Sequence, residues 1–382
     1  MELKLIEFIK EHEDNWRELL KEPPYCLTIN EDDNYAIFKY SQVESDFNEQ
    51  ICRECRGLII DKNTLEPTAL SFIKFFNVQE TFADTINWNK ARVQEKVDGS
   101  KMLTFFNKYT NKWQISTSSQ LDAYKTRVGD FNITFGNLFD RALVTLNLNK
   151  ETFENMLDPN FCYTFELVSP ESRVVVPYKD TKIYFIGARY VPYFNEVNPD
   201  SFEHICKVIP RPKEYPLTNL KSCLEATEKM GFDEEGFVVV DDNWHRVKIK
   251  SPAYVTVHRV RSNISLLGIV DLFLNEQLDD FISIFPEYRN YVDEIIDKYK
   301  SLNNTVNEGM KFINSTKFDC RKDLALYVIK NYDSKIVSAF FYLYDNKNKN
   351  FKDWFIDLSD RKKKDLLDIG EKEILNNETY CW

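Results

Sequence analysis

The chain has 382 residues and a formal net charge of -11 at pH 7. This length accommodates one large and one smaller domain, with a full hydrophobic core that requires neither disulfides nor metals. The negative balance argues against a protein that coats nucleic acid without specificity, because phosphate binding requires positive surface; it leaves room for a local basic cleft. No apolar run approaches the length that crosses a bilayer, so no membrane partner is expected.

The amino terminus and the cysteines predict a cytoplasmic protein, or one in the host cytoplasm if the chain is viral. The segment MELKLIEFIKEHED lacks the continuous apolar stretch and the small-residue cleavage site of a secretory signal. The chain has eight cysteines but a single CxxC pair, Cys52 and Cys55. This pattern gives neither a disulfide framework nor a paired zinc motif, so we expect reduced thiols.

The first residues predict one amphipathic helix that ends before Pro23 and Pro24. Its apolar side chains recur at three- and four-residue spacing: Leu5, Phe8, Ile9, Trp16, Leu19 and Leu20. His12 lies on the same stripe, where a structural histidine is expected rather than a ligand.

Short β-branched and aromatic runs predict strands from about residue 25 to residue 250. The runs are YCLTIN, YAIFKY, GLIID, KMLTFF, KWQIST, FCYTFELV, RVVVPY, KIYFIGARYV, GFVVV and HRVKIK. Helical interludes are predicted over residues 122–148 and 217–230. This part of the chain is therefore expected to be α+β with an antiparallel sheet.

Beyond Ser251 the hydrophobic pattern becomes helical. The segments ISLLGIVDLFLNEQLDDFISIF, YRNYVDEIIDKYKSL, KDLALYVIKNY and KDLLDIGEKEIL show helical periodicity and little alternation. We therefore predict a first domain over residues 1–255 and an all-helical C-terminal domain over residues 256–382.

The segment Lys96-Val97-Asp98-Gly99-Ser100 places a lysine at a turn between the extended RVQEK and the strand KMLTFF. The turn predicts an exposed amine. A lysine attacks the α-phosphorus of a nucleoside triphosphate only as the free amine, so its site must lower a pKa that is ordinarily about 10.4. By itself, the K-x-D-G pattern is more typical of an exposed hairpin turn.

Two carboxylate positions downstream suit the same chemistry. Glu166 lies on the apolar run TFELV, where an ionised carboxylate costs free energy unless something pairs with it; a strand-edge glutamate is the alternative. Glu234 and Glu235 precede Gly236 and a buried run, a position that suits a divalent metal bound to phosphate. Acidic residues that cap the turn after a helix are the alternative there.

Arg246, Lys248 and Lys250 fall on one face of the strand RVKIK by period-two alternation. Neighbouring cations destabilise one another unless they meet an anion, and a triphosphate is a candidate. The same field is expected to lower the pKa of a nearby Lys96. The alternative is the solvated face of an edge strand.

In this order, these motifs resemble those of the covalent nucleotidyltransferase superfamily, which contains ATP-dependent DNA ligases, RNA ligases and mRNA capping enzymes. Within it, the chain is most similar to the RNA ligase 1 family of tailed bacteriophages. ECRGL at 54–58 and KFFN at 74–77 resemble elements upstream of the lysine; KVDGS, TFELV, KIYFIGAR, EEGFVVV and VKIKS resemble the core motifs. Arg173 also has a family-like setting, and the similarity covers roughly residues 50–255.

The resemblance implies an antiparallel-sheet nucleotidyltransferase core of the ATP-grasp-like ligase type, followed by an all-helical C-terminal domain. It implies that Lys96 is the nucleophile that takes AMP from ATP. The other implied roles are outer-phosphate contacts for Arg56 and Lys74, ribose binding for Glu166, metal binding for Glu235, α-phosphate contacts for Lys248 and Lys250, and nucleotide-pocket positions for Phe76, Asp98 and Gly99. Tyr184 and Phe185 are candidates for contact with the adenine face.

One segment departs from the family pattern. After the nucleophile the family tends to carry a basic residue before a small pair, whereas this chain has Ile115-Ser116-Thr117-Ser118-Ser119. One phosphate contact is therefore in doubt, and the hydroxyls offer a partial replacement.

The implied activity is that of an ATP-dependent RNA ligase. It joins 5′-phosphate and 3′-hydroxyl RNA ends through a lysyl-AMP intermediate and an adenylylated 5′ end, with ATP and Mg²⁺ or Mn²⁺ as cofactors. The implied context is RNA repair, including tRNA repair, with functional coupling to an end-healing kinase and phosphatase.

Three alternatives remain open at this point. A DNA ligase and a capping guanylyltransferase share the core motifs, but they usually continue into a β-rich OB-fold, whereas this tail is predicted to be helical. A catalytically silent nucleic-acid-binding protein would use a basic cluster, although such runs are usually solvated helix faces. That cluster comprises Lys347, Lys349, Lys352 and Arg361 to Lys364.

Overall fold

The computed structural model of the chain describes residues 3–129, 131–262, 266–274, 278, 281–282, 288–316, 318 and 320–368. The chain forms two compact units, which divide between Arg259 and Val260. Within the described residues, no helix has both the length and the apolar character required to cross a membrane.

The first unit contains the strands and several short helices. The strands are β1 (Leu27–Glu31), β2 (Tyr35–Tyr40), β3 (Arg56–Asp61), β4 (Pro67–Ala69), β5 (Phe76–Asn77), β6 (Arg92–Glu95), β7 (Ser100–Asn107), β8 (Lys112–Ser116), β9 (Phe161–Val168), β10 (Lys182–Tyr190), β11 (Asn195–Val197), β12 (Glu214–Tyr215), β13 (Gly236–Val240) and β14 (Arg246–Lys250). The helices are α1 (Lys4–Glu11), α2 (Trp16–Lys21), α3 (Gln50–Glu54), α4 (Phe135–Thr145), α5 (Lys150–Glu154), α6 (Glu203–Cys206) and α7 (Leu220–Thr227), and α8 (Pro252–Ser262) follows the last strand.

These strands form three sheets, with the orders β1-β2-β3-β4, β11-β10-β9-β7-β8 and β12-β6-β13-β14-β5. Pairing is antiparallel except between β5 and β14, which run parallel. The structure thus confirms the predicted α+β core with antiparallel sheets.

The third sheet sets the ends of three strands side by side. Gly236 at the start of β13 pairs with Lys250 at the end of β14, and Phe237 pairs with Glu95 at the end of β6. Gly236 has a φ of +132°, and a Cβ there would collide with the backbone carbonyl of Ile249. Only glycine adopts this conformation without strain, so it fixes the entry of β13 beside the ends of its neighbours.

The core of the second sheet is rich in aromatic side chains. Phe139 of α4, Phe153 of α5 and Phe165 of β9 meet with ring centroids 5.5 to 5.7 Å apart, mostly edge to face. Burying a phenylalanine stabilises a fold by about 1.5–3 kcal/mol, and aromatic pairs add to this. This aromatic layer packs against one face of β9 and β10 and so supports the side chains on their other face.

Three predictions of secondary structure need correction. The amino-terminal helix is two helices, because residues 12–15 form a turn; His12 stacks on Phe8 and its Nδ1 is bonded to the Phe8 carbonyl at 2.9 Å, as a structural histidine. Among the described residues of the range 122–148, only α4 and a short 3-10 turn, Ala123–Lys125, are helical. RVVVPY is a loop, not a strand.

The second unit contains helices and no strand within its described residues. The helices are α9 (Leu266–Leu274), α10 (Arg289–Ser315), α11 (Arg321–Asn331), α12 (Val337–Asp345), α13 (Phe351–Ile356) and α14 (Asp360–Leu367). This confirms the predicted helical character of the C-terminal region, although parts of the segments predicted over 264–285 and 364–375 lie outside the described residues. Arg361, Lys362 and Lys364 of the basic cluster are exposed on α14.

Candidate functional site

A buried carboxylate lies between two lysines at the strand ends of the third sheet. Lys96 follows β6 directly, and its backbone N–H donates to the Gly236 carbonyl at 2.9 Å. Lys96 Nζ lies 2.7 Å from Glu235 Oε2, and Lys250 Nζ lies 3.0 Å from Glu235 Oε1. The Glu235 side chain is only 3 % exposed. Glu234, its neighbour in the sequence, is exposed and does not enter this cluster.

The charge state of Lys96 differs from the prediction. Burial would lower the pKa of Lys96, but the carboxylates of Glu235 and Glu166 more than offset burial, so this pKa lies above its ordinary value. The prediction of a lowered pKa was wrong because the carboxylates of Glu235 and Glu166 stabilise the charged form of Lys96. The prediction of an exposed amine was also wrong, since the Lys96 side chain is 21 % exposed and ion-paired. Burial opposes ionisation of Glu235 as well, but Lys96 and Lys250 hold its pKa below the ordinary range.

Three further cations converge beside this ion pair, and none has a carboxylate partner among the described residues. Arg56 begins β3, Lys74 precedes β5, and Lys248 lies in β14; within the described part of the chain none of the three is in an ion pair. Nη1 of Arg56 is buried and has no hydrogen-bond partner there. Burial, followed by the charges of Arg56, Lys96, Lys250 and Lys74, lowers the pKa of Lys248 to about 7. Burial and Arg56 lower the pKa of Lys74 to about 8.

The lowered pKa values of Lys248 and Lys74 mean that the three cations repel one another. An anion placed among them would stabilise their charged forms and raise both pKa values. Buried aromatic rings lie beneath the charges: Phe75 is 4.6 Å from the Arg56 guanidinium and 5.8 Å from Lys248 Nζ, and Phe76 is 5.0 Å from Lys74 Nζ. The arrangement suits a ligand with several negative charges.

Glu166 faces the same cluster from the second sheet. It is half-buried in β9, and burial raises its pKa to about 7, although the charges of Lys96 and Arg56 act in the opposite direction. Tyr184 lies directly opposite Glu166 in β10 and is also half-buried. Phe185 is fully buried within the aromatic core, so the prediction that it contacts a base was wrong.

Asp98 organises the loop around the lysine. Its Oδ2 accepts hydrogen bonds from the backbone N–H groups of Val175 and Val176 at 2.8 and 2.7 Å, and its Oδ1 accepts one from the Tyr254 hydroxyl at 2.7 Å. Three donors therefore occupy the carboxylate that the resemblance assigned to the nucleotide pocket. Sequence reasoning missed Tyr254, for which the only signal is an aromatic residue in the first turn after the KIKS segment.

Arg246, the third member of the predicted cationic row, has a protein partner. Its guanidinium lies 2.9 Å from Glu196 and stacks over the ring of Phe72 at 4.2 Å. A carboxylate of the second sheet thus neutralises this end of the row. Of the three cations in the row, Lys248 alone is left without an acidic partner among the described residues.

Lys101 is a buried cation that sequence reasoning also missed. Its Nζ donates to the Arg56 carbonyl at 2.5 Å and to the Ser71 hydroxyl at 2.7 Å, and it pairs with Glu166 in the register of β7 and β9. Alternation along KMLTFF groups this lysine with Leu103 and Phe105, and only the register between the strands places it beside Glu166. Lys101 therefore ties the first sheet to the second next to Arg56.

The segment that departs from the family pattern lies in the same region. Ser116, Thr117 and Ser118 are all buried, and the Ser118 hydroxyl has no hydrogen-bond partner within the described residues. The Ser118 carbonyl lies about 3.0 Å from the position that a Cβ on Gly57 would occupy, next to Arg56. A hydroxyl thus lies where the family tends to carry a cation.

Metal ligands are sparse in this region. The described residues contain no group of three or more histidine, cysteine, aspartate or glutamate side chains able to hold a metal ion. Glu235 already has a lysine on each oxygen. Any ion bound here would take most of its ligands from a substrate or from water.

The family profile described as RNA ligase, of the T4 RNA ligase 1 type, matches residues 54–254. The chain belongs to this RNA ligase family. The match spans β3 to the start of α8 and includes Arg56, Lys96, Glu166 and Glu235. The family predicted from the motifs is thereby confirmed.

Two curated relatives agree with this assignment. A protein of Autographa californica nuclear polyhedrosis virus, named as a bifunctional polynucleotide kinase/RNA ligase, is 29 % identical over 289 residues, which cover 70 % of this chain and 40 % of that protein. An RNA ligase of Rhodothermus phage RM378 is 27 % identical over 365 residues, 77 % of this chain and 79 % of that protein. The chain thus spans two fifths of the viral relative. Among solved structures, an archaeal ATP-dependent RNA ligase is similar over 79 % of this chain and 83 % of its own, with 11 % identity and a TM-score of 0.45.

Gly99 of this family member is required by packing. A Cβ on Gly99 would lie 2.5 Å from the Leu167 carbonyl of β9 and 2.9 Å from a Val168 methyl. We expect Gly99→Ala to force β7 and β9 apart and to lower the free energy of unfolding by about 1–3 kcal/mol, measured by denaturant titration. Gly231→Ala is the matched control, because a Cβ there meets only the flexible side-chain oxygen of Asp233. It is expected to change stability by less than about 0.5 kcal/mol, and equal effects at the two glycines would contradict the packing argument.

Proposed function

We propose that this protein is an ATP-dependent RNA ligase that works through a lysyl-AMP intermediate at Lys96. The observation that carries the proposal is the convergence of Lys96 and Glu235 with three cations that lack acidic partners among the described residues: Arg56, Lys74 and Lys248. A triphosphate supplies the negative charge that these cations require. Family membership supports nucleic-acid ends as the acceptor.

In the first step, Lys96 Nζ attacks the α-phosphorus of ATP. A nitrogen–phosphorus bond forms as the bond to the oxygen that bridges the α- and β-phosphates breaks, and pyrophosphate leaves. Lys248 and Lys250 neutralise the charge that develops on the α-phosphate, while Arg56 and Lys74 hold the outer phosphates. Positioning and charge neutralisation account for most of the catalysis in phosphoryl transfer.

Lys96 must lose a proton before it attacks, and its pairing with Glu235 opposes this loss. Glu235 suits Mg²⁺ or Mn²⁺, because such ions commonly combine one or two carboxylates with phosphate oxygens and water. Such an ion, when bound, neutralises phosphate charge and lowers the pKa of the nearby ammonium. Once Lys96 turns from Glu235 to the phosphorus, one oxygen of Glu235 becomes available.

The two later steps use the same cations. The 5′-phosphate oxygen of an RNA end displaces Lys96 from the AMP phosphorus, and a 3′-hydroxyl then attacks the activated 5′-phosphorus and releases AMP. Glu166, half-buried with a pKa of about 7, binds the ribose hydroxyls. Tyr184, opposite Glu166 in β10, offers its ring to the adenine, with Phe76, Asp98 and Gly99 around the nucleotide pocket.

We assign adenylyl transfer to residues 1–255 and a separate helical domain to residues 256–382. Helices follow the last strand of the core, whereas DNA ligases and capping guanylyltransferases usually continue into an OB-fold.

We also place the protein in the cytoplasm, since the cysteines within the described residues are free thiols. Coupling to an end-healing kinase and phosphatase is supported by the name of the viral relative.

The test compares three substrates at equal concentration with ATP and Mg²⁺: 5′-phosphorylated single-stranded RNA, nicked duplex RNA and nicked duplex DNA. We expect RNA joining at rates at least about 100-fold above DNA joining, which corresponds to about 2.7 kcal/mol of discrimination. Preferential sealing of nicked DNA would favour a DNA ligase. Transfer of GMP to a diphosphate RNA end would favour a capping enzyme.

A further inference from the structure

The ammonium of Lys74 lies among three aromatic rings. Its Nζ is 4.1 Å from the ring centroid of Phe47, 4.5 Å from that of Tyr40 and 5.0 Å from that of Phe76. All three distances fall within the range of cation–π attraction, about 6 Å. We call Tyr40, Phe47 and Phe76 the aromatic cage.

The cage is held in place independently of Lys74. The rings of Tyr40 and Phe47 pack edge to face with an interplanar angle of 90°, and those of Phe47 and Phe76 pack edge to face with an angle of 77°. Phe47 lies in the connection between β2 and α3. Hydrogen bonds from the Ser45 hydroxyl to the Tyr25 carbonyl at 2.5 Å and from the Asp46 N–H to the Pro24 carbonyl at 2.8 Å anchor this connection.

The aromatic cage surrounds Lys74 at the position where a carboxylate counter-ion would be expected. Within the described chain no carboxylate lies within ion-pair distance of Lys74, and its polar contact is the Gln42 amide oxygen at 3.4 Å. The charge of Glu80 attracts Lys74 only from beyond ion-pair distance, while the charge of Arg56 repels it. The negative faces of aromatic rings attract a cation without neutralising it, so the full charge stays available to an incoming anion.

We propose that Phe47 is a positioning residue, whose ring, with those of Tyr40 and Phe76, holds the Lys74 ammonium oriented toward the outer phosphates of ATP. The inference rests on the proposed function. Phe47 lies before residues 54–254, the part of the chain that the family profile matches, so the ATP site would include a residue outside that match. Phe47 acts through Lys74 and does not itself touch the reacting atoms.

The test measures lysyl-AMP formation at a series of ATP concentrations for wild type, Phe47→Leu and Phe47→Tyr. Leucine keeps apolar volume but has no ring, so we expect the half-saturating ATP concentration to rise by about 5- to 30-fold. The rate at saturating ATP should stay within about 2-fold, because Lys96 is untouched. Tyrosine restores a ring face and should return the half-saturating concentration to within about 3-fold of wild type.

Two controls separate positioning from packing. Phe82→Leu is the matched variant, because Phe82 also packs against Phe76, at 5.5 Å, but is not among the rings around Lys74; it should leave ATP dependence unchanged. Phe47→Leu introduced into a Lys74→Met background should add no further effect. Equal losses in Phe47→Leu and Phe47→Tyr, or additive losses in the double variant, would overturn the inference.

ATP-induced thermal stabilisation is measured for the same variants, so that the cage is tested apart from the chemistry. A wild type that binds ATP but forms no adduct contradicts the proposed function and leaves the binding comparison intact. Weaker ATP stabilisation in Phe47→Leu alone supports the cage. Equal ATP stabilisation across wild type, Phe47→Leu and Phe82→Leu contradicts it.

Discussion

Replacing Lys96 with arginine is expected to abolish the acid-labile adduct between the protein and α-labelled AMP. Arginine keeps the positive charge beside Glu235, which is 2.7 Å from Lys96 Nζ. It stays protonated at accessible pH and cannot attack phosphorus. Removal of a catalytic nucleophile typically costs more than about 10⁴-fold in rate, so labelling of Lys96→Arg should fall to background over the time course in which wild type is fully labelled.

The matched control is Lys90→Arg, an exposed lysine of the 3-10 turn Trp88–Lys90 that is just before β6. It should label like wild type. The Lys96→Arg melting temperature should stay close to that of wild type, because the ion pair is kept. Substantial labelling of a well-folded Lys96→Arg protein would show that another residue is the nucleophile.

Replacing Lys248 with methionine is expected to have opposite effects on activity and stability. Lys248 is a cation of the cluster without an acidic partner among the described residues, and its pKa is lowered to about 7. Removing one group that stabilises a developing phosphoryl charge commonly costs about 10²–10³-fold in rate. We expect a loss of this size in lysyl-AMP formation, measured at saturating ATP.

The stability effect has a defined pH dependence. The pKa of Lys248 is about 7 in the folded chain and ordinarily about 10.4 in an unfolded one. Between these values the unfolded chain binds more protons, so this residue makes wild-type stability rise with pH. Lys248→Met lacks this contribution, so its melting temperature should exceed that of wild type most at pH 7 and below. The difference should shrink as the pH approaches 10.

Lys250→Met is the matched comparison on the same strand. Lys250 is paired with Glu235 at 3.0 Å, so its loss leaves a buried carboxylate with one counter-ion instead of two. We expect this variant to be less stable than wild type near neutral pH, opposite to Lys248→Met. The same sign for both variants, in melting curves at pH 7, would contradict the assignment of paired and unpaired lysines.

Local sequence patterns were sufficient to predict the strands that carry the site. FCYTFELV and GFVVV are strands over the predicted residues, and the alternation of RVKIK correctly placed Lys248 and Lys250 on one face. These features depend on neighbours in the chain, which the sequence displays directly. The motif residues Lys96, Glu166 and Glu235 also lie within reach of one another's charges, as their order had suggested.

The errors concern contacts between residues far apart in the chain. The pKa of Lys96 depends on Glu235, which is 139 positions away, and the neutralisation of Arg246 depends on Glu196 in another sheet. RVVVPY has the composition of a strand, yet its amides at Val175 and Val176 are bound by Asp98. No local pattern in the sequence indicates such tertiary contacts, so composition favoured the wrong conformation.

The most direct test of the account is to locate the nucleotide on the protein. Wild type is first treated with pyrophosphate to remove any bound AMP, then incubated with ATP and Mg²⁺, digested under mildly alkaline conditions and mapped by mass spectrometry. We predict one AMP per chain, joined to the side-chain nitrogen of Lys96 and removed again by added pyrophosphate. AMP on another residue, or no adduct on a folded protein that binds ATP, would contradict the account.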